Sequence, residues 1–383
     1  MTDDARERAA RWLRAWDAQG MHRTATAGDD AGADWLFVEA QALGAEVAIE
    51  GFAVDRLDPR EAFLEIGGER LLAVPAFDAP PTDADGVSGS LGPAGGDADI
   101  AVAELSPRAV YSGDYQRLRR DGGQRGLVIV CAGEEPGLAL LNAEQFRDPY
   151  GAPTIHVGSE ARELVLMAAA QRLPARLVAD SRRTAATGRN VVVDLAGNDA
   201  ALPPLVVMTP RSSWWQSVAE RGGGVVCWLE TLRALLAAPP RRRVVLTANT
   251  GHELGHLGLD DFVARRRGGD RPRQEGGATW VHYGANIGAA GSALSLVSPD
   301  DELRALAAGE LPEIGQPVSL APRTLVPSGE TRDIHRAGGH YLTLVGSNRW
   351  FHLPQDRWPH AVDVAVIASV AAAAARIAVA LSR

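Results

Sequence analysis

The chain has 383 residues, 46% hydrophobic and 23% charged, enough for two or three soluble globular domains. Its net charge of -9 argues against a general electrostatic grip on nucleic acid or an anionic membrane. All 39 basic residues are arginine, which excludes a Schiff-base lysine, a pyridoxal-phosphate anchor and a P-loop lysine.

Asp3 to Asp17 has helical periodicity, with Ala9, Trp12, Leu13 and Trp16 on one face. A second helix is expected from Asp34 to Leu43, stopped by Gly44. Glu46–Phe52, Ala62–Ile66 and Arg70–Val74 read as strands, and the Pro-, Gly- and Asp-rich stretch 76–99 as a boundary or surface loop. From Ile100 to Arg183 short strands (IAVAEL, GLVIVCAG, PTIHVG) alternate with helices near 113–120 and 159–171. Beyond Thr187 the rhythm is strand then helix: NVVVDLAG, PLVVMTP, a helix at 224–238, RRVVLTAN and a helix at 253–265. That alternation predicts an α/β sheet with helices on both faces. Arg265 to Arg267 would close the last of these helices, where positive charge suits the dipole.

Cys131 and Cys227 sit in apolar stretches and read as buried hydrophobes, too few for a disulfide framework. The charged N-terminus lacks a signal-peptide core, and Asp363 and Arg376 interrupt the apolar run from Ala361 to Ser382. A cytoplasmic protein without membrane contact is expected, and a homo-oligomer remains open.

His252-Glu253-Leu254-Gly255-His256 fits His-Glu-x-x-His, which on a helix presents two zinc ligands and a general base. Here a strand ends at Ala248 and Asn249-Thr250-Gly251 is a turn, so His252 falls at the first helical residue or before it. Leu259 and Phe262 also stand where the extended zincin pattern wants glycine and a third histidine.

Strand, turn, Glu-Leu-Gly-x-x-Gly and helix instead resemble the di-zinc aminopeptidase family, which includes glutaminyl cyclases. His252–Leu259 is similar to its Glu-Glu-x-Gly-Leu-x-Gly-Ser segment. Pro204–Pro210 resembles the strand before its His-x-Asp, Glu220–Glu230 its Asp-Asn-x-Ser-Gly stretch, and Trp350–Asp356 its late Tyr-His-Thr-x-x-Asp. His22-Arg23 and the helix to Leu43-Gly44 look like its opening elements. Residues 75–185, with the strand 126–130 and the turn 150–153, resemble the protease-associated domain that many members carry. The resemblance implies a mixed sheet flanked by helices over 1–74 and 186–383, around a mainly β insert at 75–185.

It also implies chemistry, with departures. Thr209 stands at the early histidine, Arg211 two places on, and Ala285 or Asn286 at the late aspartate, so one zinc loses its private ligands. The other set maps onto Glu220, Glu253 and His352, the trio glutaminyl cyclases use for one zinc, which leaves a fourth position open. Arg211, and also Arg221, could supply positive charge where the missing ion was. His252 takes the place of the general-base glutamate and reads as base, ligand or mark of a dead hydrolase. Trp214, Trp215, His282 and Tyr283 are the expected substrate-lining residues; His22, His156 and His360 read as structural or solvated. The resulting expectation is a single-zinc hydrolase or cyclase acting on a small or short-peptide amide. The alternative is a metal-free relative that binds a ligand or partner, or runs another reaction, in the old cleft.

Overall fold

The computed structural model describes residues 3–266, 277–311 and 314–383, so Arg267 lies outside the described residues. The chain opens with α1 (Asp3–Asp17) and α2 (Ala27–Ala42). Then follow β1 (Val47–Ile66), β2 (Glu69–Pro75), β3 (Val87–Pro93), β4 (Ile100–Leu105), α3 (Gly113–Asp121), β5 (Gly126–Cys131), β6 (Thr154–Val157), α4 (Arg162–Ala170) and β7 (Pro174–Leu195). The remainder is β8 (Leu205–Pro210), α5 (Gly223–Ala237), β9 (Val244–Asn249), α6 (Leu257–Arg265), β10 (Thr279–Tyr283), β11 (Leu294–Val297), α7 (Asp301–Glu310), β12 (Val318–Leu320), α8 (Thr331–Arg336), β13 (His340–Gly346) and α9 (Val364–Leu381).

This is a mixed α/β sheet with flanking helices. The strands β9, β8, β10 and β13 run parallel in that order, with β7 antiparallel to β9 at one side and β11 to β13 at the other. These strands are buried on both faces, as their Val- and Leu-rich sequences require. α1, α2, α5, α7 and α9 cover one face through a single large core containing Trp12, Trp16, Trp228 and Ile367. Ala9, Trp12, Leu13 and Trp16 all face inward, as the periodicity of α1 predicts. α9 is long and apolar enough to cross a membrane, and it packs here against α5, α1 and α7. Asp363, which breaks the apolar run in the sequence, caps α9 by accepting the N–H groups of Ala365 and Val366.

The sequence reads Glu46–Phe52 and Ala62–Ile66 as separate strands, but both belong to β1. β1 pairs antiparallel with β7 from Val47 opposite Val193 to Ile66 opposite Ala175, interrupted only between Pro59 and Glu61. Its middle carries Asp55, Arg56, Asp58, Arg60 and Glu61, polar enough to pass for a loop, although Val54 and Leu57 among them are buried against Phe77, Trp214 and Leu254. Between these strands a smaller layer, β3-β4-β5-β6 in parallel with β2 antiparallel to β6, has its own core against α4.

α2 begins at Ala27 rather than Asp34. Gly28 and Gly32 lie in its first turns, and a Cβ on Gly28 would lie 2.0 Å from the Met21 carbonyl oxygen, so close approach is what that glycine serves. The helix expected from Glu253 is also broken. Residues 252–254 form one 3-10 turn, then Gly255 (φ +76°) and His256 (φ +62°) adopt left-handed geometry before α6 starts.

Candidate active site

The functional candidates gather beyond the C-terminal ends of parallel strands, where open α/β sheets place their ligands. β8 leads through Arg211–Ser217 into a wide turn (Val218–Gly222) that carries Glu220 and Arg221. The Asp356 carboxylate fixes that turn by accepting the N–H groups of Ala219 (2.7 Å) and Glu220 (2.9 Å). β9 leads to His252 and Glu253, β10 carries His282, and the loop after β13 carries His352.

Glu220 and His352 come together. Glu220 Oε1 lies 3.5 Å from His352 Nε2 and 2.7 Å from Arg221 Nη2, with all three side chains almost fully buried. His352 Nδ1 donates to the Leu140 carbonyl (2.6 Å), which turns Nε2 toward the carboxylate. Burial alone would raise the Glu220 carboxyl; Arg221 and His352 outweigh it and hold the group at about 2.

Glu253 does not join them. Its Oε1 accepts Thr24 N and Thr24 Oγ1, both at 2.6 Å, and its Oε2 accepts Ser212 Oγ at 2.6 Å. Three donors within the fold thus hold this carboxylate. His252, its neighbour, faces inward instead, with Nδ1 3.8 Å from Glu330 Oε1 and its ring 5.1 Å from that of His256. Burial, then Arg221 and the other imidazoles, push His252 well below the usual histidine range.

Two further imidazoles are anchored at one nitrogen and buried without a hydrogen-bond partner at the other. His256 Nδ1 meets Asp333 Oδ2 at 2.5 Å, and His282 Nδ1 meets Thr331 Oγ1 at 2.6 Å. Burial lowers His282 to about 3. Burial would also lower His256, but Asp333 reverses that and raises it. Glu330 is fully buried, neither oxygen is hydrogen-bonded, and burial pushes its carboxyl up to about 7.

The remaining expected substrate residues divide. Arg211 is fully buried, and its Nη1 donates to the Asp29 carbonyl (2.7 Å) and Asp29 Oδ1 (2.6 Å) while Nη2 donates to the Arg189 carbonyl. It latches α2 to β7, and both terminal nitrogens are engaged within the fold. Tyr283 is a core residue: its hydroxyl meets Thr231 Oγ1 (2.8 Å) and the Ala374 carbonyl (3.2 Å) under α9. Neighbouring strand residues face opposite sides of the sheet, so His282 reaches the cluster and Tyr283 cannot. Trp214 Nε1 donates to Asn142 Oδ1 (3.1 Å) and Trp215 Nε1 to the His352 carbonyl (2.8 Å). Both tryptophans thereby hold the walls rather than the contents of the cleft. Thr209, at the lost histidine position, donates to the Tyr283 carbonyl (2.8 Å).

A loop from between β5 and β6 covers the cluster. Ala139 to Ala143 are buried, and polar groups there find partners inside: Ala143 N donates to the Glu253 carbonyl (2.8 Å), and Leu140 and Asn142 accept from His352 and Trp214. Leu140, Ala143 and Phe146 pack with Trp214, Leu254 and Leu257.

Structural comparison places the architecture. A zinc aminopeptidase from Bacillus subtilis superposes with a TM-score of 0.77 at 18% identity, over 98% of this chain and 94% of that one. The fold is that of the zinc aminopeptidases. A peptidase M28 precursor from Shewanella amazonensis shares the aminopeptidase-like fold at TM-score 0.75 and 15% identity, over 100% and 96% of the two chains. A glutaminyl cyclase from Porphyromonas gingivalis follows at 0.52 and 11%, over 97% and 96%. No protein-family model and no curated protein matches the sequence.

On this aminopeptidase-like fold, Glu220, Glu253 and His352 do not make the expected zinc site. One of the three donors is satisfied elsewhere, and the carboxylate that remains already faces a guanidinium. Among the described residues no group of three His, Cys, Asp or Glu side chains is arranged to hold an ion. Glu330, Asp333 and the inward-facing His256 are the residues sequence reasoning missed or set aside. The first two sit in GETRD, which matches no motif, and only their place before and within α8 brings them here.

Proposed function

We propose that this chain is a metal-independent enzyme of the amide-hydrolase or cyclase type, built on an aminopeptidase-like scaffold and acting on a small substrate. The residues between β1 and β7 serve, on this reading, as a protease-associated insert that closes the cleft. The observation that carries it is Arg221 beside Glu220, 2.7 Å apart and buried, in the place the resemblance gives to zinc. A fixed guanidinium can hold negative charge on a substrate without a metal, and in a water-poor site such charges act strongly. Glu330, with a carboxyl at about 7, suits proton transfer near neutrality, and His252 stands 3.8 Å away as a neutral imidazole.

The test is turnover of a panel of aminoacyl, glutaminyl and N-acyl amides with chelator present, beside elemental analysis of the purified protein. Chelator-resistant turnover is expected, falling about 10²–10⁴-fold in Glu330→Gln. Stoichiometric zinc that is lost in Glu253→Ala would return the single-zinc hydrolase. The buried loop over the cluster favours a second reading, a ligand-binding protein without chemistry, which total inactivity with retained ligand binding would select.

A further inference from the structure

Arg221 is nearly fully buried, and only its Nε has an aligned acceptor, the Ser212 carbonyl at 2.7 Å. Nη2 lies close to Glu220 Oε1 but out of line for a hydrogen bond, and neither Nη1 nor Nη2 has a hydrogen-bond acceptor. Buried guanidinium nitrogens without acceptors are costly, so a fork left open in this way marks a place where an acceptor binds. Around it, His252 Nδ1, His282 Nε2, His352 Nε2 and both oxygens of Glu330 are also buried without hydrogen-bond partners. The charge of Arg221 acts on His252, His282 and Glu330, which puts all three within its electrostatic reach.

We propose that Arg221 anchors a carboxylate subsite, its two Nη groups taking both oxygens of a small monocarboxylate while His252 and His282 bond the rest of the ligand. The inference rests on the reading that a guanidinium, not zinc, is the cation of this cleft, and it adds the substrate's chemical class. A planar, singly charged carboxylate matches the guanidinium fork in geometry. A phosphate dianion fits less well, because the Glu220 carboxylate at 2.7 Å repels added negative charge.

Calorimetric titration of the full chain with acetate, benzoate and succinate, against chloride and phosphate at equal ionic strength, tests it. Saturable binding of a carboxylate is expected, weakened about tenfold or more in Arg221→Lys, which keeps the charge and loses the fork. Arg60→Lys, on the exposed part of β1, should bind like the parent chain. Absence of carboxylate binding, a response matched by chloride or phosphate, or full affinity in Arg221→Lys overturns the proposal. Should Arg221→Lys lose its circular dichroism signal, His282→Ala replaces it, and unchanged affinity there overturns the proposal equally. Carboxylate binding without turnover upholds the subsite and removes the enzymatic reading. Turnover of neutral amides that none of these carboxylates inhibits does the reverse.

Discussion

Arg211 and Arg221 are ten positions apart, equally buried, and each faces a buried carboxylate. Arg211 meets Asp29 Oδ1 at 2.6 Å and two backbone carbonyls besides, so both Nη nitrogens are used. Arg221 spends one nitrogen on the Ser212 carbonyl and leaves its fork open beside Glu220. The sequence singles out Arg211 more readily, because it sits two places beyond a motif histidine position. Arg211 leaves only its Nε without a partner, whereas Arg221 leaves the whole fork, and that difference, not burial or charge, separates the two.

The largest expected effect lies on the latch. Arg211→Met leaves Asp29 buried and unpaired, and should cost about 3–5 kcal/mol in urea unfolding. A loss under about 1 kcal/mol would mean the latch is not what ties α2 to the sheet. Arg221→Met also strips a buried carboxylate, Glu220, of its guanidinium, so a loss of the same order is expected, reduced by the fewer hydrogen bonds that its fork forfeits. An equal loss in both would erase the distinction.

Next in size is Glu253→Gln. Three donors converge on this carboxylate, and the amide can satisfy only part of them, so about 1–3 kcal/mol of stability should be lost. Metal content should not change, and elemental analysis checks that directly.

The third effect depends on pH. His256 is raised by Asp333, so its share of stability is complete below 6.5 and fades as pH rises through the higher folded value. Asp333 is lowered, against the pull of burial, so its share is complete above 3.8 and fades as pH falls through the lower folded value. The pair therefore stabilises most between those limits. Asp333→Asn should cost about 1 kcal/mol near pH 5.5, discounted because Asp333 is one-third exposed, and close to nothing near pH 9. Equal losses at both values would show that the contact is not charge-assisted. Of similar size is Trp215→Phe, which removes one hydrogen bond to the His352 carbonyl and should cost about 0.5–1.5 kcal/mol by thermal unfolding.

Much of the architecture is legible in the residues. The strand–turn–helix order from β8 onward and the convergence of Glu220 with His352 follow from segments that can be read in order. The orientation of His252 and Glu253 is not legible. They are adjacent, both polar, and the single turn at 252–254 followed by two left-handed residues decides which one faces the cluster. His256 adopting positive φ has no signature in sequence, since that geometry is uncommon outside glycine. Glu330 reaches the site from a loop some eighty residues downstream, so no spacing rule could associate it with His252. The polar middle of β1 hides a strand because Asp55, Arg56, Asp58 and Arg60 crowd around Val54 and Leu57, the residues there that enter a core.

That ribbon carries a single irregularity. The β1–β7 ladder runs without a break from Val47 to Pro59 and again from Glu61 to Ile66, and a paired ladder resists flexing along its length. Arg60, between the two runs, is the step at which the register slips, and such a bulge kinks and twists its strand. The bulge lies on the molecular surface, far along the chain from the side chains of the cleft, so a change of residue there alters the strand's twist without touching the cleft's donors.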